Sequence, residues 1–312
     1  MRLVALAGWL LLLPLAHAQT VDDWLLRMGE ALHDTDYAGT LIYMDGERME
    51  MMRIFHSASE DRERVVTLSG PHREVIREGR SVTCIGLGRP ATIYDDLGLS
   101  ALTPVARALV GHGSSHYRIE AAGVDRAAGR PAQRIEVRAA DNYRYGYRLW
   151  LDEATGFPLR VSLLDSGGEV IEDLAFTDIQ LNTPPDPADL EPQSDQALRR
   201  VSLPPPADVD ATGSPLPAFA NVPGGFSVRS HERNEQGEEH WVFSDGLASV
   251  SVYVKPVDSL VVAERETRTG AVNGKLIQRG GQRVYAMGKV PAEAVAHLAR
   301  SLVERAVADT GG

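Results

Sequence analysis

The pattern of apolar positions changes period several times along the chain. Val21, Trp24, Leu25, Met28 and Leu32 recur at helical spacing behind Thr20, whose spacing to Asp23 suits an N-terminal cap; they predict an amphipathic helix ending near His33. From Gly39 the period becomes two. Runs at 39–44 and 48–55 flank Asp45-Gly46, a dipeptide whose tolerance of positive φ favours a hairpin turn. Further strands are predicted at 64–68, 74–78, 82–85, 91–94, 117–121, 132–139, 143–152, 158–164 and 170–179, interrupted by a helix capped by Thr103 with Pro104 at its first position and Val105, Ala108 and Leu109 on its buried side. In the stretch 143–152, Tyr143, Tyr145, Tyr147, Leu149 and Leu151 share one face and Arg144, Arg148 and Trp150 the other. So many strands with so few helices imply a curled antiparallel sheet, an open or half-closed barrel with helices against it.

Prolines at 184, 185, 187, 192, 204, 205, 206, 215 and 217 then break all periodicity. Each fixes φ and removes a ladder donor, so 182–217 reads as an extended linker. A second, smaller α+β unit follows at 218–308. Strands are expected at 226–231, 240–243, 247–254, 271–278 and 282–289, with a final helix opened by Pro291 that buries Val295, Leu298, Leu302 and Val303 and frays after Asp309.

The first residues change the picture of where the chain works. Arg2, an apolar run from Leu3 to Leu15 and Ala16-His17-Ala18 have the layout of a cleavable signal peptide, with cleavage before Gln19. Pro14 and His17 cut the run short of the roughly 20 apolar residues a membrane anchor needs. The 294 residues left after removal of the first 18 suit two domains. Loss of Arg2 takes the net charge from −11 to −12, which repels phosphate backbones and argues against nucleic acid as a partner. Cys84, the single cysteine, has no intrachain partner and is expected as a small buried side chain in a strand.

Catalytic constellations are sparse. His112 and His116 have the i, i+4 spacing of a zinc pair, but Gly111 and Gly113 oppose a helix there, and a solvated loop is the simpler reading. There is no Gly-x-Ser-x-Gly elbow, phosphate loop or dinucleotide fingerprint, and the paired acids Asp22-Asp23, Asp95-Asp96 and Glu238-Glu239 suit turns, caps or solvated faces. No enzymatic role, cofactor or metal is implied. Met44, Met49, Met51 and Met52 crowd one hairpin, as either ordinary core or a surface adaptable to varied apolar shapes.

Longer strings carry more. Ser69-Gly-Pro-His-Arg-Glu-Val-Ile-Arg-Glu-Gly79, Asn142-Tyr-Arg-Tyr-Gly-Tyr-Arg-Leu-Trp-Leu-Asp152, Gly156-Phe-Pro-Leu-Arg-Val-Ser-Leu-Leu-Asp165, Val222-Pro-Gly-Gly-Phe226 and Phe243-Ser-Asp-Gly-Leu-Ala-Ser-Val-Ser-Val-Tyr-Val254 resemble, in order and in both domains, the RseB/MucB family of periplasmic stress regulators. The resemblance implies an α+β chain: a LolA/LolB-like half-open antiparallel β-barrel with covering helices at 19–181, sensing lipid, and a C-terminal domain at 218–308 that binds an anti-sigma factor. It implies a periplasmic protein that binds the periplasmic domain of a membrane anti-sigma factor of the RseA or MucA type and hinders its proteolysis. The envelope-stress sigma factor then stays sequestered until lipopolysaccharide or lipoprotein acyl chains enter an apolar groove.

The candidate groove residues are Leu41, Tyr43, Met49, Met51, Tyr143, Tyr145, Tyr147, Leu149, Leu159 and Val161. Whether the tyrosine stripe lines the groove or packs beneath a helix stays open. Trp241, Phe243 and Tyr253 are candidate partner contacts, since binding hot spots favour Trp and Tyr, although core packing is expected for at least two of them. The family pattern assigns no role to His112, His116 or the methionines at 49–52. Self-association stays open. A lipoprotein carrier is the competing reading, with the second domain as the feature against it; an enzyme of unknown chemistry ranks last.

Overall fold

A computed structural model describes residues 20–46, 48–79, 81–86, 116–193, 199–202, 221–259 and 261–310. The expected signal peptide, the strand at 91–94, the helix from Thr103 and His112 lie outside the described residues.

The first helix, α1 (Val21–Asp34), begins where the spacing of Thr20 and Asp23 requires. The Thr20 amide donates to Asp23 Oδ2 at 2.9 Å and the Asp23 amide to Thr20 Oγ1 at 3.2 Å, a reciprocal cap that holds the Asp23 carboxyl below its usual range. Arg27 donates to the carbonyls of Glu153 (3.3 Å) and Ala154 (2.8 Å), tying α1 to the turn at 153–156. Gly156 in that turn sits at φ +79°, and a Cβ there would meet the Arg27 Cβ at 2.7 Å, so only glycine lets the helix approach.

Eleven strands form one antiparallel sheet: β1 (Tyr37–Asp45), β2 (Arg48–Ser57), β3 (Arg62–Thr67), β4 (Glu74–Glu78), β5 (Ser81–Ile85), β6 (Tyr117–Ala127), β7 (Arg130–Ala139), β8 (Gly146–Asp152), β9 (Pro158–Leu164), β10 (Val170–Leu181) and β11 (Arg199–Ser202). Their order is β11-β5-β4-β3-β2-β1-β10-β9-β8-β7-β6. The two ends of this order do not pair with each other, so the sheet curls without closing, in agreement with the half-open barrel expected. Register shifts at Thr40/Leu41, Ala121/Val124, Trp150/Leu151 and Val170/Glu172 supply local bends. The inner face carries Leu41, Met52, Ile54, Ile135, Val137, Leu149, Leu151, Leu159 and Phe176, in one buried cluster with Trp24, Leu25 and Met28 of α1. Each fully buried aliphatic side chain of this kind contributes about 1.5–3 kcal/mol. Cys84 is buried in β5.

Part of the stretch expected as a linker packs on this sheet. A short helix, α2 (Pro187–Leu190), is capped by Asp186 and buries Leu190 against Phe55 and Val66 on the outer face. Beneath it Arg64 and Glu74, both almost fully buried, pair at 2.9 Å; Arg64 also donates to the Asp189 carbonyl at 2.9 Å, and the Gln193 amide donates to Glu74 at 3.2 Å. β11 then extends the sheet beside β5. Four-residue elements held by tertiary contacts leave no period to read.

The second unit is a six-stranded antiparallel sheet, β12 (Ser227–Arg233), β13 (Glu239–Ser244), β14 (Ser249–Pro256), β15 (Ala263–Thr269), β16 (Val272–Arg279) and β17 (Gln282–Gly288), ordered β12-β13-β14-β17-β16-β15. A C-terminal helix, α3 (Ala292–Thr310), buries Val295, Leu298, Leu302 and Val303 against Trp241, Val250, Val252, Val284 and Ala286. β15 is the strand the hydropathy pattern omits. All seven of its residues are exposed, so nothing alternates.

Candidate binding site

The residues proposed for the groove fall into three places. Leu41, Leu149 and Leu159 are fully buried and Val161 nearly so, within the core that α1 covers. Tyr43 and Tyr147 lie half-buried at the other end of the same inner face, which forms its mouth. Burial pushes the Tyr43 hydroxyl well above its ordinary value, and the nearby Glu172 carboxylate adds to this. Met49 and Met51 are on the opposite face. Leu41 pairs with Met52, so Met51, opposite Ile42, and Met49, opposite Met44, must point outward, and they are 37% and 64% exposed for Met51 and Met49 respectively.

Tyr143 and Tyr145 precede β8 rather than belonging to it. The Tyr143 amide and Arg144 Nε both bond Asp141 Oδ1, which bends the chain out of the sheet before Gly146. Tyr143 packs edge-on against His297 of α3, with ring centroids 5.4 Å apart. Tyr145 packs with Leu163 and Ala271; its hydroxyl donates to the Ala271 carbonyl at 3.2 Å and accepts from Asn273 Nδ2 at 2.9 Å. The stripe of alternating tyrosines therefore divides, Tyr147 staying with the sheet and the other two reaching the second unit.

These contacts belong to an interface at the mouth. The β15–β16 turn sits over it: Asp45 lies against Gly270, and Lys289 Nζ approaches Glu172 Oε2 at 3.1 Å. Beside them Arg144, fully buried, pairs with Asp245 Oδ2 at 2.6 Å and with Asp141 at 3.0 Å, and donates to the Gly224 carbonyl. Its guanidinium lies over the rings of Phe226 (5.0 Å) and Tyr117 (5.5 Å). Tyr117 donates to Asp245 at 3.0 Å, and its hydroxyl is raised well above the ordinary value by burial first and the Asp245 charge second. Asp245 is itself fixed by the amides of Leu247 and Ala248. His116 packs against Gly224 and Gly225 at the same junction.

Sequence reading missed Arg144, Asp245, Asn273 and Lys289. Alternation sets Arg144 on the face opposite the tyrosines, beside Arg148 and Trp150, and Asp245-Gly246 lies in the turn between β13 and β14. No periodic signal marks a turn carboxylate as the partner of an arginine a hundred residues away.

Of the proposed partner contacts, Trp241 and Phe243 are wholly buried in the second core, Trp241 stacked on His231 at 3.5 Å and donating to Glu239 at 2.8 Å. Tyr253 is 44% exposed and stacks on His240 at 4.4 Å, with Tyr285 as its register partner on β17. A cleft of about 430 Å³ also opens on the outer face, lined by Glu136, Arg138, Asp141, Arg148, Asp165 and Gly167 among others. Such charged walls do not suit an acyl chain.

Comparison with known proteins accounts for both units. The family model described as MucB/RseB N-terminal domain matches residues 20–194, and the one described as MucB/RseB C-terminal domain matches residues 218–303. The chain is 32% identical over 318 residues to the sigma factor AlgU regulatory protein MucB of Pseudomonas aeruginosa, covering 98% of each. It is 28% identical to the sigma-E factor regulatory protein RseB of Escherichia coli K12, covering 89% of each. Among solved structures, Pseudomonas aeruginosa MucB in its complex with MucA superposes with a TM-score of 0.70 at 26% identity, covering 89% of this chain and 96% of that one. A crystal structure of MucB superposes at 0.59, with 27% identity and the same coverage.

Proposed function

The chain belongs to the MucB/RseB family, and on that footing we propose that it is a periplasmic regulatory protein that binds the periplasmic domain of a MucA-type anti-sigma factor. By shielding that domain from regulated proteolysis, it keeps an envelope-stress sigma factor sequestered. The observation that carries this reading is whole-chain agreement with MucB as solved in complex with MucA, through both domains rather than the first alone. The second domain, docked by buried polar contacts, also counts against a simple lipoprotein carrier, for which it has no obvious use.

Release follows entry of an acyl chain, from lipopolysaccharide or a lipoprotein, at the mouth of the inner face. Tyr43 and Tyr147 are half-buried there, with Leu41 and Leu149 beneath them. Each methylene buried contributes about 0.8 kcal/mol, so a few suffice to shift an equilibrium, provided lipid and anti-sigma factor prefer opposite states. In this reading Tyr253, exposed on the second domain, is an aromatic contact for the partner.

The direct test incubates the mature protein with the periplasmic domain of its organism's own MucA-type anti-sigma factor and the site-1 protease. Cleavage is expected to slow in proportion to occupancy; unchanged cleavage at saturating protein rejects the protection. Added lipopolysaccharide or acylated peptide is expected to restore cleavage, and Leu149→Asp, if folded, to blunt that restoration. A folded variant that responds like the wild type removes the inner face from the lipid response.

A further inference from the structure

The buried Arg144 cluster joins the two domains by contacts that neither domain needs for its own core. From the first domain come Arg144, Asp141 and Tyr117; from the second come Asp245, the Gly224 carbonyl and the face of Phe226. Arg144 has no exposure at all and Asp245 almost none, so each charge depends on the other for the solvation it has lost. The guanidinium is a planar fork with donors in fixed directions, and here three different groups use them: Asp141 at Nε, Asp245 at Nη1 and Gly224 at Nη2. Such an arrangement specifies an angle between domains as well as holding them together, because Asp141 fixes the fork within the first domain and rotation of either domain breaks both bonds to the second at once. Among the other polar contacts across the junction, the Tyr145 hydroxyl with Ala271 and Asn273 and Lys289 with Glu172 each act through a single side-chain atom and tolerate more movement.

We propose that Arg144 is a positioning residue: through Asp245 and the Gly224 carbonyl it sets the relation of the two domains, and thereby forms the composite surface that the anti-sigma factor's periplasmic domain recognises. This rests on the function proposed above. It is consistent with the closer agreement of this chain with MucB in the two MucA complexes than with the crystal structure of MucB, over nearly the same coverage and at similar identity. Arg144 need not touch the partner. Its effect on affinity runs through domain geometry, and a coupling of that kind is typically worth about 5- to 150-fold.

The experiment separates this role from both general stability and the functional reading. Binding of the organism's own MucA-type periplasmic domain is measured by titration calorimetry for the wild type, Arg144→Ala and Arg144→Lys. Each is repeated in an Asp45→Cys/Gly270→Cys background. A Cβ built at Gly270 falls 2.6 Å from Asp45 Cγ, which places two cysteines within bridging reach across the junction, and the native Cys84 is buried. Arg144→Ala is expected to weaken binding on the order of 10-fold or more. Arg144→Lys, which keeps the charge and loses the fork, is expected to weaken it nearly as much. Both variants should retain wild-type circular dichroism while small-angle scattering shows a broader distribution of interdomain distances. Oxidising the cysteine pair in Arg144→Ala should restore affinity to within about threefold, and reduction should abolish the gain, an effect that a merely structural arginine would not produce.

No binding by the wild type overturns the functional reading itself. Wild-type binding that Arg144→Ala matches overturns the positioning role and leaves the function standing, as does a failure of the oxidised pair to rescue.

Discussion

At one end of the first sheet's inner face, α1 buries Trp24, Leu25 and Met28 against aliphatic side chains; at the other, the β15–β16 turn and its neighbours cover the mouth with hydrogen bonds and ion pairs. The first closure excludes water by apolar contact and is intrinsic to the domain, since removing it exposes the core. The second is made largely of polar groups that water can satisfy when they part, with a small apolar contact of Tyr145, Leu163 and Ala271. Opening it costs the difference between two hydrated and two paired states, which is much smaller than the gross strength of the bonds. The same face thus has a permanent end and an end suited to exchange, and the half-buried Tyr43 and Tyr147 sit at the latter.

The largest effect expected from testing that contrast is at α1. Met28→Ala empties space among fully buried neighbours and should cost about 2–5 kcal/mol of first-domain stability in urea, with the second domain's transition unmoved. At the mouth, Tyr145→Phe removes one hydroxyl and leaves the Ala271 carbonyl and one Asn273 proton to be satisfied otherwise, for about 1–3 kcal/mol. That loss should appear as faster amide exchange in residues 269–272, with no change in the core of either sheet. If Tyr145→Phe unfolds the first domain as Met28→Ala does, the mouth is not the exchangeable end.

Much of this architecture is visible in the sequence, for a reason that also marks its limit. Helix α1, the Asp45-Gly46 hairpin and fifteen of the seventeen described strands follow from local periods, because a face buried by its own domain repeats along the element. Four features escape. β15 has no buried face, Tyr143 and Tyr145 keep the alternation of a strand while Asp141 pulls them out of it, and α2 and β11 are each four residues long. The interface escapes entirely: Arg144 and Asp245 are each ordinary residues in ordinary turns, and their pairing exists only once both domains have folded. What the sequence does carry about the site, it carries through family resemblance, which reports the outcome of such pairings without naming them.

A third closure, α2 on the outer face, sharpens the comparison through pH. Burial works to raise the Glu74 carboxyl, but hydrogen bonds from Arg64, His72 and the Gln193 amide outweigh it and hold the carboxyl below its ordinary range. A carboxylate depressed in the folded state contributes stability that is present above the unfolded value, about 4.3, and lost as pH falls through the folded one. Amide exchange at 187–193, corrected for intrinsic rates, should therefore accelerate as pH drops below about 4. Glu74→Gln should show fast exchange already at neutral pH and little further dependence. A wild-type profile that is flat in acid would mean that α2 is held by Leu190 alone.

The smallest effect belongs to the outward methionines, and it tests the register directly. Met49 and Leu41 lie on neighbouring strands of one hairpin, yet the pairing of Leu41 with Met52 places them on opposite faces. Met49→Ser should change stability by no more than about 0.5 kcal/mol, as surface substitutions do, whereas Leu41→Ser buries a hydroxyl in a dry core and should cost several times as much. The same pair separates two routes for an acyl chain. If the chain enters by the mouth, Met49→Ser leaves lipid-triggered release unchanged, because its side chain faces away from Tyr43 and Tyr147. If instead Met49→Ser blunts release while stability holds, the lipid meets the exposed hairpin, and the apolar inner face serves only to hold the domain together.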